Sequence, residues 1–154
     1  MFTHEYYMQQ VLNLARLTEV QTRPNPRVGA IIVNNHQIVG IGTHLFAGSS
    51  HAEVFALQQA NERARGATLY VNLEPCAHYG STPPCANAVV AAGISRVFVA
   101  NLDPNPLVAG KGVAILRAAG IEVIVGLCAD EATELNQVFL HNIQTKTPFV
   151  TIKA

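Results

Sequence analysis

His51-Ala52-Glu53, Glu74-Pro75-Cys76 and Cys85 are the residues whose types and spacing could do chemistry. One imidazole and two thiolates make a soft three-ligand set suited to zinc. Three protein ligands leave the fourth tetrahedral position open to water, the mark of a catalytic rather than a structural site. Zinc lowers the pKa of a bound water from ~15.7 towards ~7, although two thiolates offset part of the ion's charge. Glu53 follows His51 by two residues. If a helix begins there, both sit on its first turn, and the carboxylate can take a proton from water and deliver it to a substrate nitrogen. His78 lies between the two cysteines. It fits a substrate pocket better than the metal, because a fourth protein ligand would close the open position. Against this, an isolated H-x-E is common by chance, and buried unliganded cysteines are common too. Two cysteines in one loop, the first after a proline, between a strand and a helix, favour the metal.

The elements that must position these residues can be read from periodicity. Tyr6 to Leu17 carries apolar residues at helical spacing, with Thr3 as N-cap. Val28 to Val33 and Gln37 to Gly42 read as strands joined by a turn at Asn34-Asn35-His36, a hairpin. A helix is expected from near His51 towards Ala64, then a buried strand from Thr68 to Leu73. Pro83-Pro84 opens a helix that stops at Gly93. A strand at Val97 to Ala100, a helix at Gly112 to Ala119, a strand at Ile121 to Val125 and a final helix from Asp130 to Ile143 complete the pattern. A hairpin followed by alternating strands and helices predicts an α/β domain, a mixed sheet with helices on both faces. The last residues, PFVTIKA, read as a strand with nothing after it: a frayed end or the start of a further domain.

Composition narrows the function classes. The 154 residues suit one domain with one proper core. Ten basic residues balance ten acidic ones, which argues against a nucleic-acid partner held by its phosphates. No apolar run reaches the ~18 residues of a membrane span. The start, MFTHEYYMQQ, lacks the features of a signal peptide, so the expected compartment is the cytoplasm. Three cysteines in a reducing compartment do not suggest a disulfide framework.

The zinc deaminases pair H-x-E with P-C-x-x-C and use the Glu as a proton carrier that is not a ligand. Here H-A-E and P-C are present, but eight residues separate Cys76 from Cys85. The long stretch GATLYVNLEPCAHYGSTPPCANAVVAAGISRVFVANLDPNPLVAGKG resembles the deaminase domain of the bifunctional riboflavin-biosynthesis deaminase/reductases. RPNPRVGAIIV, GIGTH and HAEV match in the same order, so the resemblance covers essentially the whole chain. The family shares the eight-residue gap. The resemblance implies a three-layer α/β/α fold with a central mixed five-stranded sheet, cytidine-deaminase-like, over residues 1–146. It implies one catalytic zinc on His51, Cys76 and Cys85, with Glu53 catalytic. It implies a phosphoribosylated pyrimidine substrate bound by Asn25, His44, Ala77, His78, Ser81, Asp103, Asn105 and Lys153. His44 and Lys153 match positions near the phosphate; Asp103 and Asn105 match positions facing the ribosyl phosphate, with a capped turn as their alternative.

The reaction so implied is hydrolysis of 2,5-diamino-6-(5-phosphoribosylamino)pyrimidin-4-one to 5-amino-6-(5-phosphoribosylamino)uracil. The tail, residues 147–154, resembles the first strand of a reductase domain, and NADP would enter only with that domain. A homo-oligomer is also implied. Two positions depart from the family: Ser81 stands where Lys or Arg is usual, and Phe55 replaces a common His. Two other readings stand beside this one. A deaminase of another base or nucleoside gains room from Ser81, but neutral charge and DPNPLVAGKG count against a tRNA adenosine. A non-catalytic zinc-stabilised binding module would be expected to lose Glu53 or a ligand, and all four are present.

Overall fold

The computed structural model describes residues 1–80 and 82–153. Among these, the elements run α1 (His4–Arg16), β1 (Gly29–Asn34), β2 (Gln37–Thr43), α2 (Ala52–Ala60), a 3₁₀ turn (Asn61–Ala64), β3 (Thr68–Leu73), α3 (Cys85–Ala91), β4 (Arg96–Asn101), α4 (Lys111–Ala118), β5 (Glu122–Val125), α5 (Ala129–Leu135) and α6 (Gln137–Thr145). The Thr3 hydroxyl caps α1 by accepting from the Tyr6 N–H at 3.1 Å. Asn35 and His36 both take positive φ, the two-residue turn whose twist matches a tight hairpin.

The sheet order is β2-β1-β3-β4-β5. β1 pairs antiparallel with β2 and β3, while β3–β4 and β4–β5 are parallel, so the sheet is mixed. Alternate residues of each strand serve opposite faces. Ala30, Ile32, Leu69, Val71, Val97 and Val99 pack with α2, α3 and α4. Ile31, Val33, Tyr70 and Phe98 pack with α1 and α5. The result is the expected three-layer arrangement, with strands buried on both faces.

Small residues set the position of α2. Its stripe Ala52, Ala56 and Ala60 is fully buried. It lies against Gly40 and Gly42 of β2, where a Cβ would sit 2.2 Å from the Ala56 carbonyl and 1.9 Å from the Ala52 carbonyl. A bulge lets Val39 and Gly40 both face inward: Ile32 pairs with Gly40, but Val33 pairs with Ile38. Backbone-to-backbone packing of this kind fixes the height and tilt of the helix that begins just after His51.

Two expectations fail. The final helix is not continuous: Asn136, at φ −105° and ψ 22°, separates α5 from α6. Its side chain is committed to another loop, since Oδ1 accepts from the Arg27 N–H and Nδ2 donates to the Arg27 carbonyl, both at 2.8 Å. The tail is not a strand. Residues 148–153 have no regular structure, and Val150 and Ile152 are 76% and 90% exposed. A strand needs a partner edge, and this one pairs with none of the described residues.

Gly42→Ala should destabilise the protein by ~3 kcal/mol, because its methyl must displace α2 backbone rather than a flexible side chain. Urea denaturation checks this; a change below ~1 kcal/mol would mean that α2 does not depend on the contact.

Candidate metal centre and active site

The site forms where β3 and β4 end and α2 and α3 begin, the usual crevice of an open sheet with parallel strands. His51 is the N-cap residue of α2, in extended conformation. Cys76 lies three residues past β3, and Cys85 is the first residue of α3. His51 Nδ1 lies 3.0 Å from Cys85 Sγ and 3.7 Å from Cys76 Sγ. All three donor atoms fall within 4.8 Å of one another. Donors ~2.0–2.3 Å from a tetrahedral zinc stand ~3.4–3.8 Å apart; the His51–Cys76 pair has that spacing, and the His51–Cys85 pair would open by about 0.4 Å to take the ion. His78 is not a member of the cluster.

The start of α3 holds Cys76 as well as supplying Cys85. The Cys85 N–H donates to Cys76 Sγ at 3.2 Å, and the Ala86 N–H to the Cys76 carbonyl at 3.1 Å. Hydrogen bonding, first from the Cys85 thiol and then from His51 and the Cys85 N–H, pulls the Cys76 thiol down to about 4. Cys85 is pushed up, chiefly because its thiol donates to Cys76. His51 is raised, chiefly by its hydrogen bond to Cys76. The three groups thus share protons that a metal ion would displace.

Glu53 is 3% exposed and stands in the first turn of α2. Burial pushes its carboxyl up to about 7. A carboxyl poised near neutrality can both accept and return a proton. A cavity of about 300 Å³ is lined by Glu53, His51, Cys76, Asn25, His44 and Phe139, among others. A second, of about 150 Å³, adjoins it; Glu74, Cys76, His78 and Asp103 line both.

The expected substrate residues are placed unevenly. Asn25, His44, His78 and Asp103 line the larger cavity, and Ala77 lines the smaller. Asn105 lines neither. Its Oδ1 accepts from the Leu107 N–H at 3.0 Å, and its own N–H donates to Asp103 Oδ1 at 2.8 Å, which is turn chemistry. Lys153 lies in the exposed tail and lines neither cavity. Ser81 falls outside the described residues. His44 is 4% exposed with both ring nitrogens engaged, which differs from an open phosphate contact.

Several residues that build the site were not singled out by the sequence. Glu74, named in the sequence only as part of Glu74-Pro75-Cys76, accepts three backbone N–H bonds: from Asp103 at 2.9 Å and from Gly110 and Val113 at 3.1 Å. It therefore ties the Asp103 loop to the start of α4, beside the first zinc cysteine. A Cβ at Gly112 would lie 1.9 Å from the Pro75 carbonyl, so the same contact needs glycine there. Asn72 accepts from the Gly29 N–H at 2.8 Å and donates to the Arg27 carbonyl at 3.0 Å. With Asn136 it pins the segment that carries Asn25. An asparagine inside the apolar strand TLYVNL was the available signal. Phe139 and Lys111, which line the larger and smaller cavities, left no such mark.

Residues 1–101 match the model of the cytidine and deoxycytidylate deaminase zinc-binding region. The chain belongs to that family. It is 57% identical over 150 residues to the riboflavin biosynthesis protein RibD of Bacillus amyloliquefaciens, covering 97% of this chain and 40% of that protein. It is 47% identical over 143 residues to the diaminohydroxyphosphoribosylamino-pyrimidine deaminase of Buchnera aphidicola subsp. Schizaphis graminum, covering 93% and 97%. The structure of Acinetobacter baumannii RibD superposes with a TM-score of 0.91 at 58% identity, over 94% of this chain and 41% of that one. The fold is therefore cytidine-deaminase-like, and the chain spans about two fifths of the RibD proteins it matches. The family's zinc region includes His51, Glu53, Cys76 and Cys85. No helix of the described residues is long and apolar enough to cross a membrane.

Metal analysis of the purified deaminase domain should find one zinc per chain. Cys85→Ser should lower the affinity at least tenfold, since a neutral hydroxyl replaces a thiolate; full retention would remove Cys85 from the ligand set. Glu74→Gln should cost ~2 kcal/mol in urea denaturation, because an amide N–H₂ replaces one acceptor facing backbone donors.

Proposed function

We propose that the chain hydrolyses 2,5-diamino-6-(5-phosphoribosylamino)pyrimidin-4-one to 5-amino-6-(5-phosphoribosylamino)uracil and ammonia, a step of riboflavin biosynthesis. The observation that carries the reading is the position of Glu53, buried on the wall of the cavity that also presents His51 and Cys76. Likeness to a deaminase of this name over nearly the full length of both chains supports the substrate.

Zinc held by His51, Cys76 and Cys85 would supply activation of water for attack on the ring. The remaining work belongs to the chain. Glu53 takes one proton from the attacking water as the C–O bond forms at the ring carbon and gives it to the bare ring nitrogen; it then takes the second proton from the new hydroxyl as the C=O bond forms and gives it to the departing amine. The C–N bond to that amine breaks and ammonia leaves. The carboxyl near 7 suits both transfers. The roughly 300 Å³ cavity admits one ring and closes around it with Asn25, His44 and Phe139. His78 and Asp103, on both cavities, stand where the ribosyl link would leave the ring. Lys111 of the smaller cavity offers a cation for the phosphate end. Reduction of the ribose with NADPH would belong to a separate reductase domain, for which residues 147–154 would be the first strand.

The zinc-loaded protein should release ammonia from the ribotide. Lack of turnover with zinc bound and fold intact would refute the proposal. Glu53→Gln should keep its zinc and lose about 10²–10⁴-fold in kcat, the usual worth of a positioned proton carrier. A variant that stays active would overturn the role given to Glu53.

A further inference from the structure

His44 makes a hydrogen-bond chain that fixes more than its own position. Its Nδ1 lies 3.2 Å from the Ser50 carbonyl, with Ser49 Oγ at 3.3 Å. With the hydrogen on Nδ1 the ring donates to the Ser50 carbonyl, which can only accept. The neutral ring in that tautomer bears a lone pair on Nε2. Asn25 Nδ2 lies 3.2 Å from that Nε2 and donates to it. The backbone holds both partners: His44 N–H donates to the Val28 carbonyl at 2.9 Å, and Asn25 N–H to the Thr22 carbonyl at 2.7 Å. Turning the Asn25 amide over would set its Oδ1 against the Nε2 lone pair, two acceptors facing each other.

We infer that His44 is a positioning residue: it orients the Asn25 amide so that Oδ1 is left to the cavity as an acceptor, and the pocket thereby selects a ring that presents an N–H donor beside the reacting carbon. The inference rests on the proposed reaction. In the diaminopyrimidinone the reacting carbon is flanked by one bare ring nitrogen and one N–H. Glu53 must serve the bare nitrogen, which turns the N–H flank to the opposite wall. In a cytosine ring the reacting carbon is flanked by a bare nitrogen and a C–H. That ring would cover the Asn25 oxygen without offering it a donor, and sites built for a hydrogen bond reject analogues lacking it. Asn25, His44 and Glu53 line one cavity.

Nitrogen NMR of the zinc-loaded chain, with histidines labelled, reads the tautomer directly. The Nδ1–H form of His44 is expected at neutral pH; the Nε2–H form would overturn the inference whatever the activity. His44→Phe keeps a ring but removes the acceptor. It should lower kcat/KM for the ribotide about tenfold, and by less than twofold in an Asn25→Ala background. It should also narrow the preference for the ribotide over cytidine monophosphate. Equal losses in both backgrounds, or an unchanged preference, would show that His44 does not act through Asn25. A wild-type protein that leaves the ribotide untouched would instead sink the proposed function, and the tautomer result would stand apart from it.

Discussion

Loops at the ends of strands carry backbone N–H and C=O groups that no ladder satisfies, and this constraint shapes the molecule. Buried groups of that kind must find partners or cost stability. Three buried side chains meet the need. Glu74 takes the N–H groups of Asp103, Gly110 and Val113. Asn72 and Asn136 bracket Arg27 and Gly29 from two sides. Each stands next to a segment that delivers a functional group. Glu74 is two residues from Cys76, and Arg27 is two residues from Asn25. The polar atoms that hold the loops therefore also set the aim of the metal ligand and the pocket amide.

Charge is arranged by the same economy. Buried ionisable groups are tolerated where a partner or a proton compensates them. Glu74 has three backbone donors. Glu53 has instead a raised pKa, and burial is the chief cause. The two carboxylates are both nearly inaccessible, yet one is held by three backbone donors while burial pushes the other's carboxyl upward. The difference lies in the donors around them rather than in residue type. His44 follows the same rule in neutral form, with its two nitrogens facing one acceptor and one donor.

Much of this was legible in the sequence where local chemistry governs. The Thr3 cap, the Asn35-His36 turn, the strand TLYVNL and the helix after Pro83-Pro84 depend on neighbours in the chain, and they appear where propensity puts them. The failures depend on distant partners. A helical pattern from Asp130 to Ile143 could not reveal that Asn136 would pair with Arg27, 109 residues away. The tail has the residues of a strand, but a strand is a property of a pair. At the site, the cluster of His51, Cys76 and Cys85 was readable because metal chemistry restricts the ligand types. The turn contacts of Asn105 were not, since the same Asp-Pro-Asn-Pro letters serve a turn and a binding edge equally well.

The cysteine spacing shows why the short signature is a special case of a broader geometric requirement. What the metal needs is one thiolate just past a strand and another at the first turn of the next helix. The number of residues between them can vary as long as the two ends are held. Here the ends are tied by the Cys85 N–H to Cys76 Sγ and the Ala86 N–H to the Cys76 carbonyl. Those bonds join the two ligand positions directly, so a longer connection need not move either sulfur. Closing a longer loop costs little, since the entropy grows only with the logarithm of its length. In return the connection places Ala77 and His78 on the cavity walls. Loop length between the ligands is thus a determinant of the pocket and not of the metal. A scan for two-residue spacing would miss the site, while a search for the strand–thiolate and thiolate–helix junctions would find it.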